Sequence, residues 1–489
     1  MRLVQILFFI ILLGCNNGSG PENAVNEETK PATEKATPQP SEAPNMDPIM
    51  GKGPAEIKIN VAGANAPKSY LIGFIADGHF RVDSSDITNG VIEFKRADSY
   101  PQGLYYASLA DNQFIQIILG DDQKFTMSCN ANDLIGTMQV KGSDENEVFY
   151  KNLKFEANYN PRYRDANAKL KSITDKSSQE YKIAEKEKRE LENERTAVLE
   201  EIFKKHKDLL FVQFKKAGQN PKIRTEGSDE ERVYYYRKEF WDNVDWSDKR
   251  LIRTPVIINK LKRYFKELTP QNPDSLFQSA KMLVDEILPY PEYYKFITNW
   301  VAIQYEPTKT SLMDPEAVFV NMIQNYFTRE RAFWADSMEV YGLQQRAGEM
   351  AQSLVGKKGP DVISTDQFGK TKSIYEMTAD YIVVYLYNPT CEHCMKETPL
   401  LVDWYNKNKA NNKADVFAIA IDTNEDEWKA YIKKNNMNFT NVFDPTNRSI
   451  YAKYYVDITP EVYVLNKDRT IIGKNLKVFQ IDTIIERDK

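Results

Sequence analysis

Within this 489-residue chain, Cys391-Glu392-His393-Cys394 is the stretch best equipped for chemistry. Two thiols at this spacing can pass electrons by closing and opening a disulfide. The exchange needs a thiolate, whereas an ordinary cysteine is mostly protonated near neutral pH. A helix N-terminus helps, because its unpaired N–H groups and partial positive charge stabilise a thiolate placed there. The flanking residues predict that placement. The apolar run Tyr381-Ile382-Val383-Val384-Tyr385-Leu386-Tyr387 reads as a buried strand, and a short loop then leads into a helix opened by the cysteines. Cys394 falls one turn deeper, close enough to form a Cys391–Cys394 disulfide. Only four cysteines occur in the chain, and two of them are these.

The two residues between the thiols pull in opposite directions. A protonated His393 would stabilise the Cys391 thiolate. Glu392 would disfavour it, though exposure and salt weaken that effect. The pair predicts a tuned, intermediate reduction potential and leaves the direction of electron flow open.

A helix of this kind must be carried by an α/β sheet, and residues 351–489 supply the pattern. Leu400, Leu401 and Trp404 mark the buried face of the cysteine helix. Val416–Ile421 is wholly apolar, as an internal parallel strand should be. Asp422-Thr423-Asn424 caps a helix carrying Trp428, Tyr431 and Ile432. Val462–Leu465 and Thr470–Ile472 form a hairpin across Asn466-Lys467-Asp468.

The rest of the chain divides by its periodicity. At roughly 150 residues per domain, the length allows about three domains. Residues 51–146 alternate at period two, with Ile57, Ile59 and Val61 against Glu56, Lys58 and Asn60. Further runs at Tyr70–Ile75, Val91–Phe94, Leu104–Leu109, Phe114–Leu119 and Phe125–Cys129 are separated by turns such as Asn89-Gly90. This is an all-β domain, sandwich or barrel, and Cys129 in its last run reads as an inert core residue. Residues 147–350 are helical and highly charged. The seam Tyr181, Ala184, Leu191, Val198 and Ile202 is interrupted by Lys188 and Arg195, which favours a helix packed on its own domain over a dimeric coiled coil. The aromatic stretch Tyr234-Tyr235-Tyr236 through Trp246 reads as core packing, with a peptide or glycan groove as the alternative. The fold class expected is therefore multidomain: N-terminal all-β, central all-α and C-terminal α/β.

The N-terminus reads as an export signal. Residues 1–14 hold Arg2 and an apolar run to Leu13, too short for the roughly 20 residues that span a bilayer. Residues 15–50, with Pro21, Pro31, Pro38, Pro40 and Pro44 among polar residues, have little to bury and read as a disordered tether reaching about 30 Å. Nearly balanced charge, a net of -5 and no basic stripe argue against nucleic acid as a partner. No second Cys-x-x-Cys or paired histidine is present for a structural zinc site, and the chemistry requires no bound cofactor.

Two resemblances sharpen this reading. Leu12-Leu13-Gly14-Cys15 resembles the lipobox of bacterial lipoproteins, which implies lipidation of Cys15 and a place in the cell envelope, on an outer or periplasm-facing membrane surface. Residues from about Gly356 onward resemble the membrane-tethered thioredoxin-like oxidoreductases of the ResA/TlpA type. Cys391-Glu392-His393-Cys394-Met395-Lys396-Glu397-Thr398-Pro399 is similar to that group at both cysteines, Glu392, Lys396, Glu397 and Pro399. The resemblance implies a nucleophilic Cys391, a resolving Cys394 and a Glu397 that moves the Cys394 proton if it is buried. It also implies that Pro460 is cis and that Thr459 offers backbone groups to a substrate chain. The Trp that usually precedes the first cysteine is Thr390 here, which leaves the thiol's surroundings less apolar. Envelope proteins with disulfides, apocytochrome c among them, and a membrane electron donor are the partners the resemblance implies. Two rivals were weighed. An envelope ligand-binding lipoprotein with an auxiliary redox module is one. The other, a peroxiredoxin-like peroxidase, would need Pro-x-x-x-Thr-x-x-Cys where this chain has Pro389-Thr390-Cys391.

Overall fold

The computed structural model describes residues 46–488 apart from 111–112, 307–308, 311, 410–412 and 448. Cys15, the export segment and most of the tether lie outside the described residues. The chain joins the first β layer by Ile49–Gly51, where Gly51 donates to the Tyr100 carbonyl and Gln102 donates to that of Ile49.

Eight strands follow: β1 (Ala55–Ala62), β2 (Lys68–Ile75), β3 (Gly78–Asp86), β4 (Val91–Arg96), β5 (Gly103–Ser108), β6 (Phe114–Leu119), β7 (Lys124–Asn130) and β8 (Gln139–Lys141). They form two sheets, ordered β4-β1-β7-β8 and β3-β2-β5-β6. This is a sandwich, since Ile57, Ile59 and Val61 of one sheet and Leu71, Leu104 and Ile117 of the other share one core. The period-two alternation of β1 is what buries alternate residues there. Cys129 is buried in β7, and burial pushes its thiol up to about 11.

The described helices that come next are α1 (Asp144–Ser172), α2 (Gln179–Lys205), α3 (Leu210–Ala217), α4 (Asp229–Lys238), α5 (Val256–Arg263), α6 (Pro273–Ile287), α7 (Pro291–Gln304), α8 (Pro315–Tyr326) and α9 (Ser337–Met350). The Ser143 hydroxyl caps α1 by accepting from the Asn146 N–H, and the acidic first turn suits the helix dipole. The charged seam of α2 packs on α1 within the same chain. Arg195 and Lys215 both reach Glu156, at 3.0 and 2.8 Å, and Phe155, Tyr159 and Tyr163 stack along α1. Phe240, Trp241 and Trp246 are buried against Tyr264 and Tyr293, so this part of the aromatic stretch is core. Tyr234 on α4 stays exposed. The sandwich and these helices share one continuous apolar core.

The C-terminal domain contains β9 (Ile363–Asp366), β10 (Thr371–Ser373), β11 (Tyr381–Tyr387), α10 (Glu392–Asn408), β12 (Ala414–Ala420), α11 (Glu425–Asn435), β13 (Thr440–Phe443), α12 (Ser449–Tyr454), β14 (Glu461–Leu465), β15 (Ile471–Gly473) and α13 (Ile481–Arg487). Its single sheet runs β10-β9-β13-β12-β11-β14-β15. Strand β11 is central, parallel to β12 and antiparallel to β14, and all seven of its residues are buried. Odd-numbered β11 residues, Val383, Tyr385 and Tyr387, face the core that includes Cys394. Even-numbered ones face a second core with Tyr454 and Tyr463. The sheet is thus covered on both faces, as a strand of uniform hydrophobicity requires.

Candidate active site at the start of helix α10

Loop Asn388–Thr390 carries the chain from β11 to α10. The Asn388 side-chain oxygen accepts from the N–H and hydroxyl of Thr390, at 2.8 and 2.7 Å, while its amide donates to the Asp422 carbonyl. These bonds hold Cys391 at the N-cap of α10, in extended backbone geometry with φ -75° and ψ 127°. At this N-cap the sulfur stands in place of the usual side-chain oxygen and meets the first-turn N–H groups of His393 and Cys394. Pro399 lies inside α10 and provides no N–H for the Met395 carbonyl one turn back.

The two thiols sit in different surroundings, and both are free. Cys391 is half-buried, and its Sγ donates to the Thr459 carbonyl at 3.2 Å. Burial works against ionisation of Cys391. Hydrogen bonds from the Thr459 side chain, the Cys394 N–H and thiol and the His393 N–H outweigh it, so its pKa lies below the ordinary cysteine value. Cys394 is fully buried, and desolvation pushes its thiol up to about 12. An accessible thiolate-former beside a protonated, enclosed thiol is the asymmetry that ordered disulfide exchange needs.

The Thr459–Pro460 peptide is cis and faces Cys391 from the entry of β14. Glu392 and His393 are both exposed, and His393 serves Cys391 through its backbone N–H. Glu397 lies one turn beyond Cys394, half-buried, with Oε2 accepting from the Val478 N–H at 3.3 Å. Beneath the cysteines, the buried Thr398 hydroxyl bonds both Tyr385 and Tyr431 at 2.9 Å. This hydroxyl group cluster was not singled out in the sequence, because tyrosines in an apolar strand read as ordinary core.

A second group missed in the sequence lies behind the cis-proline. Glu461 follows Pro460 directly, and its Oε1 is enclosed without a hydrogen-bond partner. Burial raises its pKa to about 8 despite the nearby Lys474. Lys474 is itself only 1% exposed and faces Glu316 at 3.4 Å and Asp314 at 3.8 Å. Burial likewise raises Asp314, to about 6, against the pull of Lys474. Several carboxyls therefore share one ammonium, an arrangement that favours protonating some of them. A carboxyl opening the otherwise apolar run Val462–Leu465 was the available sequence signal.

The sign of the Glu461 effect follows from linkage. An acid whose folded pKa is raised stabilises the fold while protonated. That contribution is complete below the ordinary glutamate value of 4.5 and is lost as pH rises through about 8. Glu461→Gln, neutral at every pH, should therefore melt with the wild type near pH ~5 and above it near pH ~9, by roughly 2–4 °C for each kcal/mol recovered. Calorimetry of the full-length protein at both values checks this. An equal difference at both would show that Glu461 is not the titrating group.

A sheet covered on both faces, a Cys-x-x-Cys at a helix start and a cis-proline across from it define a thioredoxin-like redox domain. Its relatives agree: residues 355–474 match the AhpC/TSA family, and residues 55–149 match a domain of unknown function, DUF4369. The C-terminal part is similar to the thiol-disulfide oxidoreductase ResA of Bacillus cereus, 24% identical over 120 residues, covering 24% of this chain and 68% of ResA. ResA of Bacillus thuringiensis subsp. konkukian is 24% identical over 156 residues, covering 32% and 78%. Among solved structures, a thioredoxin-like protein from Bacteroides caccae aligns with TM-score 0.49 and 19% identity, over 56% of this chain and 99% of its own. A domain of a possible thiol-disulfide isomerase from Cytophaga hutchinsonii aligns with TM-score 0.26 and 32% identity, over 28% and 92%. The C-terminal domain is thus similar to the AhpC/TSA family and to the thiol-disulfide oxidoreductase ResA.

Proposed function

We propose that this protein is an envelope thiol–disulfide oxidoreductase, lipid-anchored through Cys15, that reduces disulfides of exported proteins with the Cys391–Cys394 dithiol. The observation that carries the reading is the contrast between the half-exposed Cys391, with its lowered pKa, and the enclosed Cys394, raised to about 12. The Cys391 thiolate attacks one sulfur of a substrate disulfide, breaking that bond and expelling a substrate thiolate. The mixed disulfide is then attacked by Cys394, which gives up its proton as it does so. The substrate leaves as a dithiol, its second thiolate taking a proton from solvent, and the two electrons it gains are those that Cys391 and Cys394 lose on forming their disulfide. The Cys394 proton passes to solvent or to Glu397, one turn further along α10. Thr459 pairs its backbone with the substrate chain, and a membrane donor re-reduces the pair. Apocytochrome c, with its Cys-x-x-Cys-His segment, is the substrate class this reading favours.

The test is to trap the intermediate. Cys394→Ala removes the resolving thiol, so mixed disulfides through Cys391 should accumulate in cells and be identified by mass spectrometry after thiol quenching. Adding Cys391→Ser should abolish them. An exported Cys394→Ala protein that yields no adduct would contradict the proposal.

A further inference from the structure

The helical region meets the redox domain at the loop that carries the cis-proline. Helix α12 ends at Tyr454, and the next residue, Tyr455, turns the chain with φ 48°. That left-handed conformation is unfavourable for a bulky side chain and persists only where its surroundings impose it. Part of those surroundings comes from outside the thioredoxin-like domain. Arg346 of α9 donates from Nε to the Tyr455 hydroxyl at 2.9 Å, from Nη1 to Glu306 at 3.1 Å and from Nη2 to Asp457 at 3.2 Å. One guanidinium therefore binds the loop at two points and the end of α7 at a third. Its flat face lies over the Phe319 ring of α8, 5.2 Å from the centroid. Ser353, just past α9, adds a 2.8 Å bond to the Tyr454 carbonyl. Two residues beyond Asp457 comes Thr459, whose carbonyl is 3.2 Å from the Cys391 sulfur.

We propose that Arg346 is a positioning residue of the redox site: from the helical region it fixes the loop Tyr455–Pro460 so that the Thr459 backbone stands ready to pair with a substrate chain beside Cys391. The inference rests on the oxidoreductase reading and gives the helical region a part in it. A planar, always-charged fork suits the task, since it holds three acceptors in fixed directions, whereas a lysine's three donors rotate on a flexible stem. Loosening the loop weakens capture of a polypeptide disulfide far more than it changes Cys391, because a small reagent does not pair with the loop and the His393 and Cys394 groups that also lower the Cys391 pKa stay in place.

The experiment uses the full-length protein with dithiothreitol as the electron donor for turnover of a synthetic Cys-x-x-Cys-His peptide in its disulfide form, the uncatalysed rate being subtracted, and, in a separate reaction on the reduced protein, iodoacetamide as a small reagent that does not pair with the loop. Arg346→Met should raise the KM for the peptide by about tenfold or more, with kcat and the rate of Cys391 alkylation within about twofold of wild type. Arg346→Lys, which keeps part of the pairing, should recover part of the KM. Asp457→Asn and Tyr455→Phe remove the same contacts from the loop side with little change of shape, and both should shift KM in the same direction. An unchanged KM across this set overturns the inference. So does a fall in alkylation that parallels the loss of turnover, which would mark general damage. A wild-type protein that alkylates normally but never reduces the peptide would instead refute the oxidoreductase reading itself.

Discussion

Iodoacetamide applied to the reduced protein at neutral pH should modify Cys391 and leave Cys394 unmodified. The reagent attacks thiolates, so selectivity follows thiolate population and access. Cys391 is held below the ordinary cysteine value because hydrogen bonds from Thr459, Cys394 and His393 outweigh the cost of its partial burial. Cys394 has the opposite balance, with desolvation pushing it up to about 12 and its side chain sealed from solvent. The gap from an ordinary thiol to about 12 already amounts to roughly a thousandfold in thiolate, and enclosure adds to it. The rate at Cys391 should climb with pH through a midpoint below that of an ordinary cysteine, since its pKa is lowered. Peptide mass spectrometry after timed labelling at several pH values reads both quantities. Comparable labelling of Cys394, or a Cys391 profile with its midpoint at or above an ordinary cysteine's pKa, would contradict the assigned roles.

Cys391→Ser should lower turnover of a protein disulfide by at least about a thousandfold. Serine keeps the size of the side chain and its place at the N-cap, so the helix start survives, but a hydroxyl neither ionises near neutral pH nor forms a mixed disulfide. Cys394 cannot take over. It is enclosed, protonated and one turn from the surface that Thr459 offers. The helix should be unchanged by circular dichroism while insulin or peptide-disulfide reduction disappears. Turnover within about tenfold of wild type would mean that another group starts the reaction.

Much of this site was legible in the sequence because its determinants are local. A run of seven apolar residues fixes β11, the cysteine spacing fixes one helical turn, and Thr459-Pro460 stands just ahead of an apolar strand. The sandwich strands were legible for the same reason, since alternation at period two shows which face is buried. Strand β3 was not, because it lies at a sheet edge with Arg81, Asp83 and Asp86 along it and hardly any burial to leave a pattern. Strand β13 and helix α12 are too short for periodicity to separate them from loop. Among the site residues, His393 could be named but not its role, which falls to its backbone N–H with the ring exposed. Glu397 was expected to act if buried, and it is only half-buried, tied to Val478. Arg346 and Glu316 stand more than a hundred residues before the residues they contact, Asp457 and Asn475. Such partners are set by tertiary packing and leave no local signal.

The central claim is that Cys391 and Cys394 form a working redox couple poised to reduce other proteins. Its most direct test is the reduction potential of the full-length protein, equilibrated in glutathione or dithiothreitol buffers and read by the fraction of free Cys391. The account predicts a reversible two-electron couple between the thioredoxin and DsbA values, closer to about -270 mV than to about -120 mV. A couple at or above about -120 mV would make the protein an oxidant, and the absence of any reversible couple would contradict the account outright.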